Sequence, residues 1–243
     1  MPAPLATPFP LKGTPFYSRI SDQLTSDPVK NYYAIAFNPG FPLQASELNE
    51  LQEIFFINNT LSTMMCSSWQ SITYNIPSWT GLIPLSPTSI QITNVQQILG
   101  TWSGDISIPL GWYLWGDPIS KLRHWLYLDS NISGSISIPT GQTRYIGLTV
   151  TKENIKCCTS NECSDGEDSD IRDNSNGFPG NSLTCGASRL KATIGTSIDI
   201  RNSAPEGTDW SLLFRIDATN NGINAYYNDE INLVPTTYTS TPS

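Results

Sequence analysis

The chain is short of nearly everything that bond-making chemistry uses. Its 243 residues include one histidine, three methionines and only 13 Lys plus Arg against 21 Asp plus Glu, and 14% of residues are charged. With a formal net charge of −8 and no basic run longer than Lys121-Leu122-Arg123-His124, it lacks the clustered cations that phosphate neutralisation needs, so no nucleic-acid partner is expected. It has no uninterrupted apolar run of about 18 residues, so no transmembrane helix is expected. The start, MPAPLATPFPLKG, has no cationic leader, and its prolines interrupt any apolar h-region, so it does not read as a signal peptide. Synthesis in a reducing cytoplasm is the expectation. There is no G-x-S-x-G, P-loop, dinucleotide fingerprint or H-E-x-x-H. With a single imidazole and no nucleophile motif, a Ser-His-Asp triad has little to stand on. His124 reads as structural, and no catalytic residue is assigned. A carboxylate pair for glycoside cleavage has no sequence signature, because its members meet only in space.

What is abundant is turn chemistry: Gly, Pro, Ser, Thr and Asn, with neutral polar groups carrying solubility. That composition suits an α+β, mainly β fold of antiparallel hairpins in a sandwich or barrel-like domain with one N-terminal amphipathic helix. The chain divides into an extended Pro-rich arm (1–30), a helical segment (31–71), a β-rich domain (72–235) interrupted by a Cys/Asp/Asn-rich insertion (156–187), and a loose tail (236–243).

The helix follows a Pro-Gly turn in NPGFPLQASELNELQEI (38–54). Leu43, Leu51, Ile54, Leu61 and Met65 fall near one line of a 3.6-residue wheel, and Leu48 and Phe55 widen it into a packing face. Glu47, Glu50 and Glu53 sit in the first turns, where carboxylates complement the helix dipole. Asn58-Asn59 reads as a weak point or an end. Phe56 and Ile57 lie off the stripe. Two readings stand for them: burial under the β layers, or a second contact face for a neighbouring subunit.

The β region contains an echo. Ile106, Ser107, Ile108, Pro109 and Gly111 recur thirty residues later as Ile136, Ser137, Ile138, Pro139 and Gly141. Each copy predicts an alternating strand, a Pro-x-Gly turn and a second strand, which is a hairpin signature. A third hairpin is expected between 194–200 and 210–218. Trp102, Trp112, Trp115, Trp125, Tyr113 and Tyr127 crowd into 26 residues. They read as core and interface filler, with a sugar-stacking platform as the alternative.

Cys157, Cys158, Cys163 and Cys185 bracket the polar insertion, and Cys66 stands apart. Disulfides, a structural Zn²⁺ and free thiols are all open, since the spacing matches no standard zinc pattern. No other cofactor is expected. The acidic stretch SDGEDSDIRD lacks the ligand register of the twelve-residue calcium loop and reads as a solvated loop. The sequons at Asn58 and Asn131 read as coincidences in an Asn-rich chain.

One stretch carries a resemblance. In YYAIAFNPGFPLQASELNELQEI, an aromatic-rich segment leads to Phe37, Pro39 and Gly40, then Leu43, Gln44, Ala45, Glu47, Leu48, Asn49, Glu50 and Gln52. This is similar to a motif of tailed-phage baseplate and tail-fibre-attachment structural proteins, well represented in cyanophages. A weaker second patch, Asp170, Asp173, Gly177, Gly186, Ala187, Arg189 and Leu190, follows in that family's order. The cysteine-rich insertion is not part of the pattern. The resemblance implies a non-enzymatic virion component, assembled in the host cytoplasm, present in repeated copies and packed against other tail proteins. It also implies that Leu43, Leu48, Leu51, Ile54, Phe55, Phe56 and Ile57 form a docking helix. The alternatives are a host-surface carbohydrate-binding module built on the aromatic row, and a glycan-cleaving tail enzyme.

Overall fold

The structure is a computed structural model that describes residues 31–37, 45–68, 81–86, 88–117, 120, 122–155, 188–203, 209–227, 231–232 and 236–238. The elements begin with β1 (Tyr32–Ala36), α1 (Ala45–Ser68), β2 (Gly81–Pro84), β3 (Gln91–Ile98), β4 (Thr101–Ile108), β5 (Gly111–Gly116) and β6 (Arg123–Leu128). They continue with β7 (Ile132–Pro139), β8 (Thr143–Ile155), β9 (Ser188–Ile194), β10 (Asp199–Arg201), β11 (Trp210–Thr219), β12 (Gly222–Tyr227), β13 (Ile231–Asn232) and β14 (Thr236–Tyr238). Among the described residues the fold is mainly β with one helix, as the composition predicts. It separates into two compact units, Leu61–Thr151 with Ile194–Ser243, and Pro2–Thr60 with Lys152–Thr193. The helix and strands β8 and β9 each run from one unit into the other.

The larger unit holds three sets of paired strands. One is ordered β14-β3-β4-β7, a second β2-β5-β6, and in the third β8 lies between β10 and β11, followed by β12 and β13. Among the described residues β14 runs parallel to β3, and the other pairs in these three sets are antiparallel. Alternation dictates the first set: in β4, Trp102, Gly104, Ile106 and Ile108 are buried while the residues between them are not, and β7 repeats the pattern with Ile132, Ile136 and Ile138. Side chains on a strand point to opposite faces in turn, so each Ile-Ser-Ile run has one core face and one wet face. Strand β5 differs. All six of its residues are buried, as expected of a central strand covered on both faces.

The echoed segments are strands, but the two predicted hairpins do not form. Strand β4 pairs with β3 and β7, whereas β5 pairs with β2 and β6. Likewise β7 pairs with β4, and β8 with β10 and β11. At each Pro-x-Gly the chain leaves one sheet for another. The partner of each echoed strand is the other copy: Gly104 faces Ile136, Asp105 faces Ser135 and Ile106 faces Gly134. Equivalent residues are thus exchanged about a local two-fold at the Asp105–Ser135 pair. At the second corner Gly141, at φ 82°, donates its N–H to the Ala218 carbonyl at 2.8 Å, which fastens the turn to β11. The third predicted hairpin is replaced too, since β10 pairs with β8 rather than β11. Hairpins do form at β3–β4, β5–β6 and β11–β12.

In the smaller unit β1 pairs antiparallel with β9. Tyr32 and Ile54 are buried there, with Ile35 and Ile57 packed against them. The predicted loose tail begins with residues that pair: Thr236–Tyr238 lies along β3. The predicted arm, the insertion 156–187 and residues 239–243 lie outside the described residues.

Candidate functional site

Helix α1 is continuous for 24 residues and runs through the predicted weak point at Asn58-Asn59. Near its C-terminus, Ser68 Oγ donates to the Met64 carbonyl at 3.0 Å and Ser67 Oγ to the Thr63 carbonyl at 3.4 Å, side-chain bonds one turn back that run alongside the helical ladder. Ile54, Leu61 and Met65 are buried, at spacings of seven and four. Ile57 is half-buried against the Tyr32–Ile54 cluster, so of the two residues placed off the stripe this one has the packing role. Glu53, in the first turns of the helix, is also buried.

The rest of the predicted packing face is not inside. Leu48 is 41% exposed, Leu51 42%, Phe55 66% and Phe56 47%. At about 100° per residue, Leu48, Leu51 and Phe55 lie roughly a quarter-turn from the buried line, and Phe56 continues round beyond them. The Phe55 and Phe56 rings meet edge to face at 6.2 Å, so together they form one apolar surface. Of the proposed docking residues, the structure therefore brings Leu48, Leu51, Phe55 and Phe56 to the surface, assigns Ile54 and Ile57 to packing, and leaves Leu43 outside the described residues. In the resemblance motif, Ala45–Gln52 opens this helix and Phe37, 40% exposed, follows β1. Of the second patch, Arg189 and Leu190 lie in β9, opposite Ile35 and Ala34.

The aromatic row is internal. Trp102, Trp112, Trp115 and Trp125 are each no more than 8% exposed, and Tyr113 is buried with them. Three of the indoles reach across the fold. Trp115 Nε1 donates to Ser211 Oγ at 3.0 Å, Trp102 Nε1 to the Thr219 carbonyl at 2.8 Å, and Trp125 Nε1 to Ser62 Oγ at 3.2 Å, which ties the second half of the helix to β6. Trp112 meets Tyr127 edge to face at 5.1 Å. A sugar platform needs ring faces in water, and none of these four indoles offers one. Burial lifts the Tyr113 phenol well above its ordinary range, and its hydroxyl donates to the Pro109 carbonyl at 2.7 Å.

His124 lies opposite Trp115 across the β5–β6 ladder, with the rings 6.2 Å apart. Burial lowers its pKa below the ordinary 6.5, and the nearby Asp117 charge opposes that shift. Asp117 is itself buried and accepts a 2.6 Å hydrogen bond from Ser120 Oγ. Serine, histidine and aspartate are thus neighbours, but the serine donates straight to the carboxylate. A nucleophilic triad needs the imidazole between them as base, so this arrangement closes a turn rather than activating a hydroxyl. The sequence reading missed this cluster. Its signal was Asp117, seven residues before the sole histidine across a short turn.

Among the described residues no group of three His, Cys, Asp or Glu side chains is placed to hold a metal ion. Cys66, near the helix end, is an exposed free thiol. Cys157, Cys158, Cys163 and Cys185 lie outside the described residues. No described helix is long and apolar enough to cross a membrane. No protein-family model matches the chain, and no curated protein or solved structure matches it.

Proposed function

We propose that the chain is a structural component of a phage virion tail, in the baseplate or at a fibre attachment, and that it works through protein–protein contacts without catalysis. The observation that carries this reading is the exposed ridge of Leu48, Leu51, Phe55 and Phe56 on a helix whose other side is anchored by buried residues. Four large apolar side chains together in water are unfavourable for an isolated chain and useful to one that is meant to be covered. The ridge falls within and just after the stretch that resembles tail proteins. A stable contact of the obligate kind buries about 2,000 Å² or more in total, so the ridge supplies the apolar centre of a larger patch. Repetition of modest contacts around a particle then gives lasting attachment. The partners are further copies and other tail proteins, the location is the virion, and assembly takes place in the host cytoplasm. No nucleic acid or membrane takes part.

The carbohydrate-binding alternative loses its platform with the burial of the tryptophans, and the enzymatic alternative gains no support from the Ser120–Asp117 pairing. The test is the double variant Leu51→Asp, Phe55→Asp. It is expected to retain its circular dichroism and unfolding midpoint, and to sediment as a monomer at concentrations where the wild type associates. Wild-type incorporation of the double variant into particles overturns the reading.

A further inference from the structure

The β14-β3-β4-β7 sheet ends on β7, and among the described residues no strand pairs with the far side of β7. The backbone groups on that side can be named. Strands β3 and β4 join through the two-residue connection Leu99-Gly100, with φ 48° and 74°, so Ile98 and Thr101 form its closing hydrogen-bonded pair. Thr101 therefore turns its N–H and C=O to β3, and Trp102, Gly104, Ile106 and Ile108 turn theirs to β7. Their partners there are Ile138, Ile136, Gly134 and Ile132. The Thr140 N–H donates to the Gly100 carbonyl at 2.8 Å, in step with this alternation. Ser133, Ser135 and Ser137 thus point their N–H and C=O groups away from the sheet, and all three residues are exposed.

Such an edge is usually guarded by charge, an interior proline or a bulge. Strand β7 has none of these. It pairs with β4 over eight consecutive residues without a register shift, its proline stands at the last position, and residues 130–143 carry no charge. What fits this edge is shown within the chain. The near side of β7 is occupied by β4, its own near-copy, in which G-x-I-S-I-P from Gly104 matches G-x-I-S-I-P from Gly134. The two interlock, with Gly104 opposite Ile136 and Ile106 opposite Gly134, a small residue against a large one each time. A second β7 laid antiparallel about Ser135 gives the same neighbours: Gly134 of one copy opposite Ile136 of the other, and Ile132 opposite Ile138. The one charge that opposes self-pairing of this sequence, Asp105, lies on the inner strand β4, and its counterpart on the edge is Ser135.

We propose that β7 pairs antiparallel with β7 of a second copy about a two-fold axis at Ser135, joining two β14-β3-β4-β7 sheets into one. Ser135 faces Ser135 and Ser133 faces Ser137, so each outward serine gives and accepts one backbone hydrogen bond. The serine side chains line up on the wet face, where neutral hydroxyls meet without repulsion. On the core face the Gly134–Ile136 interlock repeats. Ile198 is half-buried over Gly134, its Cδ1 2.7 Å from where a Cβ on that glycine would stand, and it extends the apolar margin of the edge. The contact is isologous and closes at two copies. It goes beyond the tail reading and uses no residue of the helix ridge. Backbone bonds across an edge are individually modest, so this pairing is expected at higher concentrations than the ridge contact.

The test follows amide hydrogen exchange by NMR in the full chain as its concentration is raised. The Ser133, Ser135 and Ser137 amides are expected to exchange freely in dilute solution and to slow more than about tenfold as dimers form. Gly134 and Ile136, bonded to β4, are expected to be protected throughout. Ser135→Lys sets lysine opposite Asp105 within the chain, which favours the fold, and opposite lysine at the two-fold, which opposes the dimer. It is expected to keep the wild-type unfolding midpoint and to weaken the pairing more than about tenfold. Mixing it with Ser135→Glu is expected to restore dimers, because opposite charges then meet at the axis. Serine amides that exchange freely at every concentration, or that are already protected in the dilute monomer, overturn the proposal and leave the ridge reading intact. Folded Ser135→Lys that gains protection as the wild type does also overturns it. The ridge variant Leu51→Asp, Phe55→Asp is expected to keep the protection, so failure of the ridge contact and failure of the edge pairing are told apart.

Discussion

Leu51 and Leu61 sit ten residues apart on one helix, and truncating each to alanine separates its two faces. Leu61 is fully buried and Leu51 is 42% exposed. Removing a buried leucine side chain costs the lost transfer free energy plus that of the cavity left behind, about 2–5 kcal/mol. For Leu61→Ala the upper part of that range is expected. The residue lies among Leu61–Thr151, the stretch that builds most of the larger unit's core, and Ser62 beside it is fixed by the Trp125 indole, so collapse into the void is restrained. For Leu51→Ala the surface value applies, within about 0.5 kcal/mol of zero. At roughly 2–4 °C per kcal/mol for a chain of this size, a difference of about 4 kcal/mol separates the two variants by about 8–16 °C in midpoint. Urea unfolding followed by tryptophan emission reads the same contrast, and the buried indoles make the signal large. Equal losses in the two variants refute the two-faced helix. A larger loss at Leu51 shows that the ridge packs within the monomer.

Three further outcomes follow from packing and titration. Gly147→Ala places a Cβ 2.4 Å from two ring atoms of buried Trp210 and 2.5 Å from the Ser211 carbonyl oxygen, so a loss on the order of 1–3 kcal/mol is expected in chemical denaturation; wild-type stability contradicts the packing at that crossing. Burial, partly offset by Asp117, lowers the His124 pKa below 6.5, so the unfolded chain binds the proton more readily. Stability is then complete above about pH 6.5 and falls as pH drops through that value; with one histidine in the chain, His124→Gln removes this slope, and an unchanged slope in the variant contradicts the assignment. Burial raises the Tyr113 and Tyr227 phenols above 10.0, so stability is complete below about pH 10 and falls above it; ultraviolet titration is expected to show these two ionising only as the chain unfolds, and reversible early ionisation of all ten tyrosines contradicts it.

The alternation of Ile-Ser-Ile and the wheel through Ile54, Leu61 and Met65 were both legible in the sequence, because periodicity is a property of a single element. What each element meets is not. The two Pro-x-Gly segments look like hairpin turns, yet each carries the chain from one sheet to another, and the echoed strands pair with each other across thirty residues. Nothing local distinguishes those outcomes, since a strand's partner is set by which apolar faces can be buried together. The helix shows the same limit. Leu51 lies only about 60° from Ile54 at 100° per residue, so a wheel merges them into one stripe. Only the packed structure separates the residue against Tyr32 from the one in water. The indoles were crowded enough to suggest either a core or a platform. The burial of β5 on both faces decided between them, and that depends on what packs over its sheet, such as Ser211 of β11 at the Trp115 indole. Leu99-Gly100 carried a turn signal in its glycine alone, so the positive φ at the leucine was not legible.

The role proposed for this chain is to be built into a phage tail. Purified tailed-phage particles encoding it, analysed by quantitative mass spectrometry with cross-linking, test that most directly. The expected result is the chain at a fixed whole number of copies per particle, with cross-links from the Leu48–Phe56 segment to a neighbouring chain. Its absence from particles, or turnover of a substrate by the purified monomer that is lost on changing a single carboxylate or His124, would contradict it.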